Sequence, residues 1–321
     1  MTSGLILGLH AAIVAVTGEE PRVLTVPGGS GVDPGNALPF GPLEPDRHRT
    51  LERGLRAWVL EQTGMELPYV EQLYTFGDRN RAVTLDGLAR VIAVAYLALV
   101  RERRVAKGLT AEWQGVYSFL PWEDHRCGEP EILCRSIRPA LDVWVKSPDS
   151  LDLERQRRGR VDITFGSGAV AWDSERVLDR YELLYEAGLV AESVRDHRAL
   201  GNDEPGVGVR AFGAPLAFDH RRILATALGR LRGKLKYRPL VFELLPTMFT
   251  LLRLQRTVES LVGARLHKQN FRRLVERGAL VESTGQVETD TGGRPAALFR
   301  FRRDVLHERP APGVGLPGLP S

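Results

Sequence analysis

Lys268, Gln269, Asn270, Arg272, Arg273 and Arg277 fall within one short segment, HKQNFRRLVERG. Arg can grip guanine with two hydrogen bonds and Gln or Asn can grip adenine. The remaining cations suit phosphates. Thr250 upstream and Arg294 downstream complete a candidate set for contacting DNA. A second set, Arg49, Arg53, Arg56 and Glu61, lies in RTLERGLRAWVLEQTG. Its guanidinium groups suit the phosphates of an anionic ligand. One carboxylate among three cations is a poor site for a hard metal ion, which wants clustered acids, so no metal is expected there.

The elements that must carry these residues are legible from periodicity. Thr250 can cap a helix in which Leu251, Leu254, Val258 and Leu261 form one apolar face, and Gly263 can stop it. A second helix over about 267–277 puts Phe271, Leu274 and Val275 on one side. Gln269, Arg272, Arg273 and Glu276 then point away, with Asn270 nearer the edge. Gly278 ends it. Strands over 280–283 and 296–301 flank a tip, Thr291-Gly-Gly-Arg294-Pro295. The pattern is helix, turn, helix, β wing.

Charge is unevenly placed. The chain of 321 residues has a net charge of only +4, but residues 219–309 hold 19 Lys and Arg against 9 Asp and Glu. A basic C-terminal part suits a polyanionic partner. Cys127 and Cys134 make no disulfide framework, and a reducing cytoplasm suits them. With Asp124 and His125 they match no common zinc spacing. The apolar run Leu5–Val16 lacks a basic start and reads as a strand, and no stretch is long enough to span a membrane.

Earlier in the chain, strands are expected over 11–16, 22–26, 70–76 and 91–100, with a helix over 46–63 and a Gly/Pro-rich loop over 27–42. A charged linker over 147–159 and helices over 173–187 and 219–237 follow. Phe165-Gly-Ser-Gly168 lacks the Lys that would make it a phosphate loop and reads as a turn. Gly206-Val-Gly208 is a weak dinucleotide signal. His125 and His220 each follow an Asp without a credible nucleophile, and Asp219 is expected to cap its helix.

FELLPTMFTLLRLQ, NFRR and GGRPAALFRF, in that order, resemble the winged-helix domain of the Nudix-related transcriptional regulators of NrtR type. The resemblance implies an α/β (α+β) chain: a Nudix-like α/β/α domain over 1–238 and a winged helix-turn-helix over 239–309, with 310–321 as a disordered tail. An insertion over about 122–213 is most similar to the NadQ branch, which regulates NAD metabolism. The Nudix signature GX5EX7REUXEEXGU is degenerate. Ala57-Trp58 stands for Arg-Glu, Glu61-Gln62 for Glu-Glu and Arg49 for the upstream Glu. The family therefore implies a repressor of NAD biosynthesis or salvage genes without enzymatic activity, needing no cofactor. It would be a homodimer on a double-stranded operator, answering to NAD, ADP-ribose or ATP. The alternatives are an active pyrophosphate hydrolase acting on ADP-ribose or NAD, and a nucleotide-binding scaffold whose winged helix binds protein.

Overall fold

The computed structural model describes residues 5–28, 35–78, 90–199, 212–289, 295–308 and 312–314. The long apolar run forms β1 (Leu5–Thr17), which turns through Gly18 and Glu19, both at positive φ, into β2 (Glu20–Pro27). Two short strands, β3 (Asn36–Ala37) and β4 (Phe40–Pro42), interrupt the expected loop. Next come α1 (Leu51–Thr63), β5 (Tyr69–Phe76), β6 (Arg90–Leu99) and β7 (Glu112–Gly115). The sheet order is β3-β2-β1-β6-β5, with β4 against β1 and β7 against β2. β6 runs parallel to β1 from Leu5↔Arg90 to Val14↔Leu99, as a doubly covered central strand should. Alternation along β1 sends Leu9, Ala11 and Ile13 to Leu55 and Val59 of α1, and Ala12 and Val14 to the opposite core.

That opposite core is covered by α2 (Val116–Phe119), α3 (Arg138–Lys146), α4 (Leu151–Phe165), α5 (Val177–Glu186), α6 (Ala191–Ala199) and α7 (His220–Leu235). It continues without a break into the C-terminal part. There β8 (Phe249–Thr250), α8 (Leu251–Val262), α9 (Lys268–Gly278), β9 (Val281–Glu288), β10 (Ala296–Phe301) and α10 (Val305–Glu308) follow in order. Trp122, Leu141, Tyr181, Leu231, Leu254 and Phe271 all belong to this one apolar cluster.

Several expectations need correction. α1 starts at Leu51 rather than near Asp46, because Glu44 and His48 close a separate turn and Thr50 caps the helix. The charged linker is α4: Ser150 caps it, and Arg158 and Arg160 pair with Asp142 and Glu186 on neighbouring helices. Charges fill its first ten residues and only Val161, Thr164 and Phe165 at its end are buried, so it has no sustained apolar period to detect. Gly166 ends α4 at φ 60, as the turn reading of Phe165–Gly168 requires. Asp219 stands at the N-cap of α7, but its carboxylate lies 3.2 Å from Arg222 and makes no cap hydrogen bond. The disordered tail is contradicted at 312–314. The Val314 N–H donates to the Leu235 carbonyl at 3.0 Å, and its side chain enters the main core. The weak Gly206–Gly208 signal lies outside the described residues.

His10 and His220 explain how α7 joins the sheet. The Leu38 N–H donates to His220 Nδ1 at 3.0 Å, so Nε2 of His220 carries the proton and donates to His10 Nδ1 at 2.9 Å. Phe40 and Phe218 pack around the pair. Burial lowers the His10 pKa to about 4 and pushes His220 well below its usual value. Both are neutral in the folded state, while the unfolded chain takes up protons below the ordinary value of 6.5. Their contribution is therefore complete above 6.5 and is lost as pH falls towards 4. Denaturant midpoints should drop between pH 7.5 and 4.5, and His10→Asn should flatten that slope; an unchanged slope in the variant would assign the acid loss to other groups.

Candidate nucleic-acid interface

The Thr250 hydroxyl accepts from the Arg253 N–H at 3.1 Å and opens α8. Leu254, Val258 and Leu261 are fully buried, as their spacing requires. Glu259 stands among them, buried, where a carboxylate is expensive without partners. It has four. Gln255 and the Leu266 N–H donate to Oε1 at 2.8 and 3.0 Å, while Arg256 and Arg265 donate to Oε2 at 2.9 and 2.8 Å. Burial alone would raise this carboxyl. The hydrogen bonds from Arg265, Leu266, Gln255 and Arg256 outweigh it and hold the pKa below the usual range. Glu259 thus ties α8 to the turn that leads into α9.

The turn is also held from outside. Gly263 has φ 76, and a Cβ there would lie 2.3 Å from the Glu123 carbonyl oxygen. Its own carbonyl accepts from the His125 N–H at 2.7 Å. Arg232 of α7 donates through Nε to the Leu261 carbonyl at 2.9 Å and through Nη1 to Glu123 Oε2 at 2.5 Å. Arg180 of α5 donates to the same carboxylate at 2.6 and 3.0 Å. Arg180, Glu123 and Arg232 are wholly buried. Burial would raise the Glu123 pKa, but the two guanidinium groups prevail and lower it. Tyr117 adds a hydrogen bond to the Ser260 carbonyl at 2.5 Å. At the β1–β2 turn, Glu19 reaches Arg256 and Arg265 at 3.6 and 3.5 Å.

On this support α9 shows its basic face to solvent. Phe271 and Val275 are buried. Lys268, Gln269, Arg272, Arg273, Glu276 and Arg277 are exposed, and Asn270 is half-buried with Oδ1 3.4 Å from Arg273. Thr250 leaves the contacting set: it is buried and its hydroxyl is committed to the cap. Arg294 lies outside the described residues. Ala279, not Gly278, takes the left-handed cap at φ 48. β9 is longer than expected, and β8 adds an unforeseen third strand in the order β8-β10-β9. Glu123, Arg180 and Arg232 were also missed. Each stands among other charged residues in the sequence, and Glu259 shares α8 with Arg253 and Arg256 and lies off its apolar face, so spacing carried no signal for any of them.

The second set is not gathered into a pocket. Arg49, Arg53 and Glu61 are exposed, and Arg56 is held by Glu52 at 2.8 Å and by the Leu67 carbonyl. A cleft of about 290 Å³ beside α1 is lined by Val26, Pro27, Gln62, Gly108, Leu109 and Thr110, and by none of those four. The side chains replacing the signature residues have other duties. Trp58 lies over Gly41, where a Cβ would come within 2.3 Å of the indole, and donates to the Pro42 carbonyl at 2.8 Å. Gln62 pairs with both backbone groups of Phe40, at 3.1 and 2.7 Å. These residues do not fit the Mg²⁺ of a Nudix hydrolase, which would find Glu61 alone at the signature positions.

The helix-turn-helix with its three-stranded hairpin sheet, joined to a mixed sheet flanked by helices, defines a Nudix-like protein with a winged-helix domain. The family model for the NrtR DNA-binding winged helix domain matches residues 241–301, the segment that folds as helix-turn-helix and wing. A curated relative, the ADPR responsive transcriptional repressor NtrR of Acinetobacter baylyi, is 41% identical over 92 residues. The match spans 29% of this chain and 36% of that relative's length. The crystal structure of Shewanella oneidensis NrtR with a 27mer DNA matches 94% of this chain and 95% of its own at TM-score 0.56 and 20% identity. A MutT/nudix family protein from Enterococcus faecalis matches 94% and 88% at TM-score 0.54 and 16% identity. Those two likenesses establish the fold.

Removing Arg232 should strand a buried carboxylate. Arg232→Met is expected to cost about 3–5 kcal/mol in denaturant unfolding. A loss under about 1 kcal/mol would show that the cluster is not what seats α8.

Proposed function

We propose that this protein is a DNA-binding transcriptional repressor whose operator affinity is set by an adenine nucleotide, with ADP-ribose foremost. The exposed face of α9, with Lys268, Gln269, Arg272, Arg273 and Arg277 on an NrtR-type winged helix, carries the proposal. The 27mer DNA bound by Shewanella NrtR and the ADPR response of the Acinetobacter repressor support its two halves. NAD and ATP remain effectors to test beside ADP-ribose. The targets are genes of NAD biosynthesis or salvage, and the protein acts in the cytoplasm.

As a homodimer it would present two copies of α9 to half-sites about one helical turn apart, roughly 34 Å. The nucleotide would bind beside α1, with the cleft at Gln62 and Thr110 as its entrance. For binding there to change DNA affinity, the ligand must prefer one arrangement of the protein. The chain would bind the nucleotide without cleaving it, since Trp58 and Gln62 serve the β4 loop rather than a metal.

Fluorescence anisotropy on duplexes from upstream of NAD genes tests the proposal at two salt concentrations, with and without each nucleotide. Selective binding altered by ADP-ribose is expected. Affinity equal to that for scrambled duplex would overturn it. Arg272→Ala and Arg273→Ala should each cost roughly 1–3 kcal/mol where a base contact is lost. A side chain that meets only phosphate would instead reduce the salt slope and spare sequence preference. Incubation of ADP-ribose with Mg²⁺ should release no AMP, and sustained release abolished by Glu61→Gln would establish the hydrolase instead.

A further inference from the structure

Glu276 is the residue on α9 that a phosphate-seeking helix would not keep. It is exposed on the stripe 269, 272, 273, 276, the spacing that keeps one helix face. A carboxylate there faces the same polyanion as Arg272 and Arg273. It also lies in the last turn of α9, where a negative charge opposes the helix dipole. Neither cost is offset within the fold. Arg272, one turn earlier, stands at i,i+4 in the weaker cation-before-acid order, and no ion pair or hydrogen bond to the Glu276 side chain occurs among the described residues. Arg273 turns instead to Asn270. Glu276 serves α9 structurally through its backbone carbonyl, which accepts from the Ala279 N–H at 2.9 Å. Any side chain would leave that bond intact.

We propose that Glu276 is a specificity-determining residue that accepts a hydrogen bond from the exocyclic amine of a cytosine in the major groove. The inference rests on α9 being the DNA-reading helix. Cytosine presents an N4 donor there, the group a carboxylate can take up, whereas guanine and thymine present acceptors that repel it. Gln269 and Glu276 are seven residues apart, about 10 Å along the helix, which corresponds to about three base-pair steps of roughly 3.4 Å. The stripe therefore reads adenine near Gln269, guanine near Arg272 or Arg273, and cytosine near Glu276. The carboxylate also weakens attraction to phosphate at sites without that cytosine, so it lowers non-specific affinity.

Selection from randomised duplexes, followed by anisotropy on single-base variants, reads this directly. The full chain is compared with Glu276→Ala, Glu276→Gln and Arg272→Ala. The parent should prefer cytosine at one position by about tenfold. Glu276→Ala should lose that preference at that position alone, with tighter binding to scrambled DNA. Glu276→Gln should move it towards adenine, because an amide pairs with adenine N6 and N7. An exposed side chain leaves folding unaltered, which matching thermal melts would verify. If Arg272→Ala changes base preference while both Glu276 variants keep the parent's, the cytosine assignment is overturned and the DNA-reading role of α9 stands. If the parent selects no sequence, both fall together.

Discussion

The buried carboxylate of Glu123 is the constraint on which the C-terminal half depends. It cannot stay charged in the core without Arg180 and Arg232, and those two cannot be buried without it. Satisfying all three draws α5, α7 and the segment after α2 to one point. Arg232 also donates to the Leu261 carbonyl at the end of α8 and to the Glu123 backbone carbonyl. The angle at which α9 leaves the body follows from that arrangement, together with the Glu259 network on the other side of the turn.

The same logic gives the segment 122–213 a structural duty. It supplies Arg180 on α5 and the Ser174 carbonyl that receives Arg232 at 3.0 Å. Its helices cover the sheet face opposite α1, and their apolar side chains run on into those of α8 and α9. Sheet, the helices of 122–213 and winged helix share one core, so a change in the sheet has a packed route to the turn before α9. The β1–β2 hairpin gives a second route through Glu19.

Much of the fold could be read from the chain because apolar period follows burial. β1, β6, α8 and α9 all declare themselves, and the exposed stripe of α9 lay where its spacing put it. What escaped was set by distant partners. α4 owes its place to Val161 and Phe165 at its C-terminal end, which enter the main core, and the two-residue β8 exists only because β10 is there to pair with. Val314 falls within a Pro/Gly-rich tail, yet the end of α7 offers it a carbonyl and a core site. In α1 the lost acids were plain in the sequence. That Trp58 and Gln62 had become fasteners for the β4 loop was not, since that depends on where Phe40 and Pro42 lie.

Gly263 carries a last consequence. Its missing side chain leaves room for the Glu123 carbonyl, which comes from a part of the sequence some way outside the winged helix. The domain is therefore not a freely portable module. Transplanted onto another body, it would keep its own sequence and lose half of the socket that shapes its turn. A working chimera would have to bring the partners of Arg232 along.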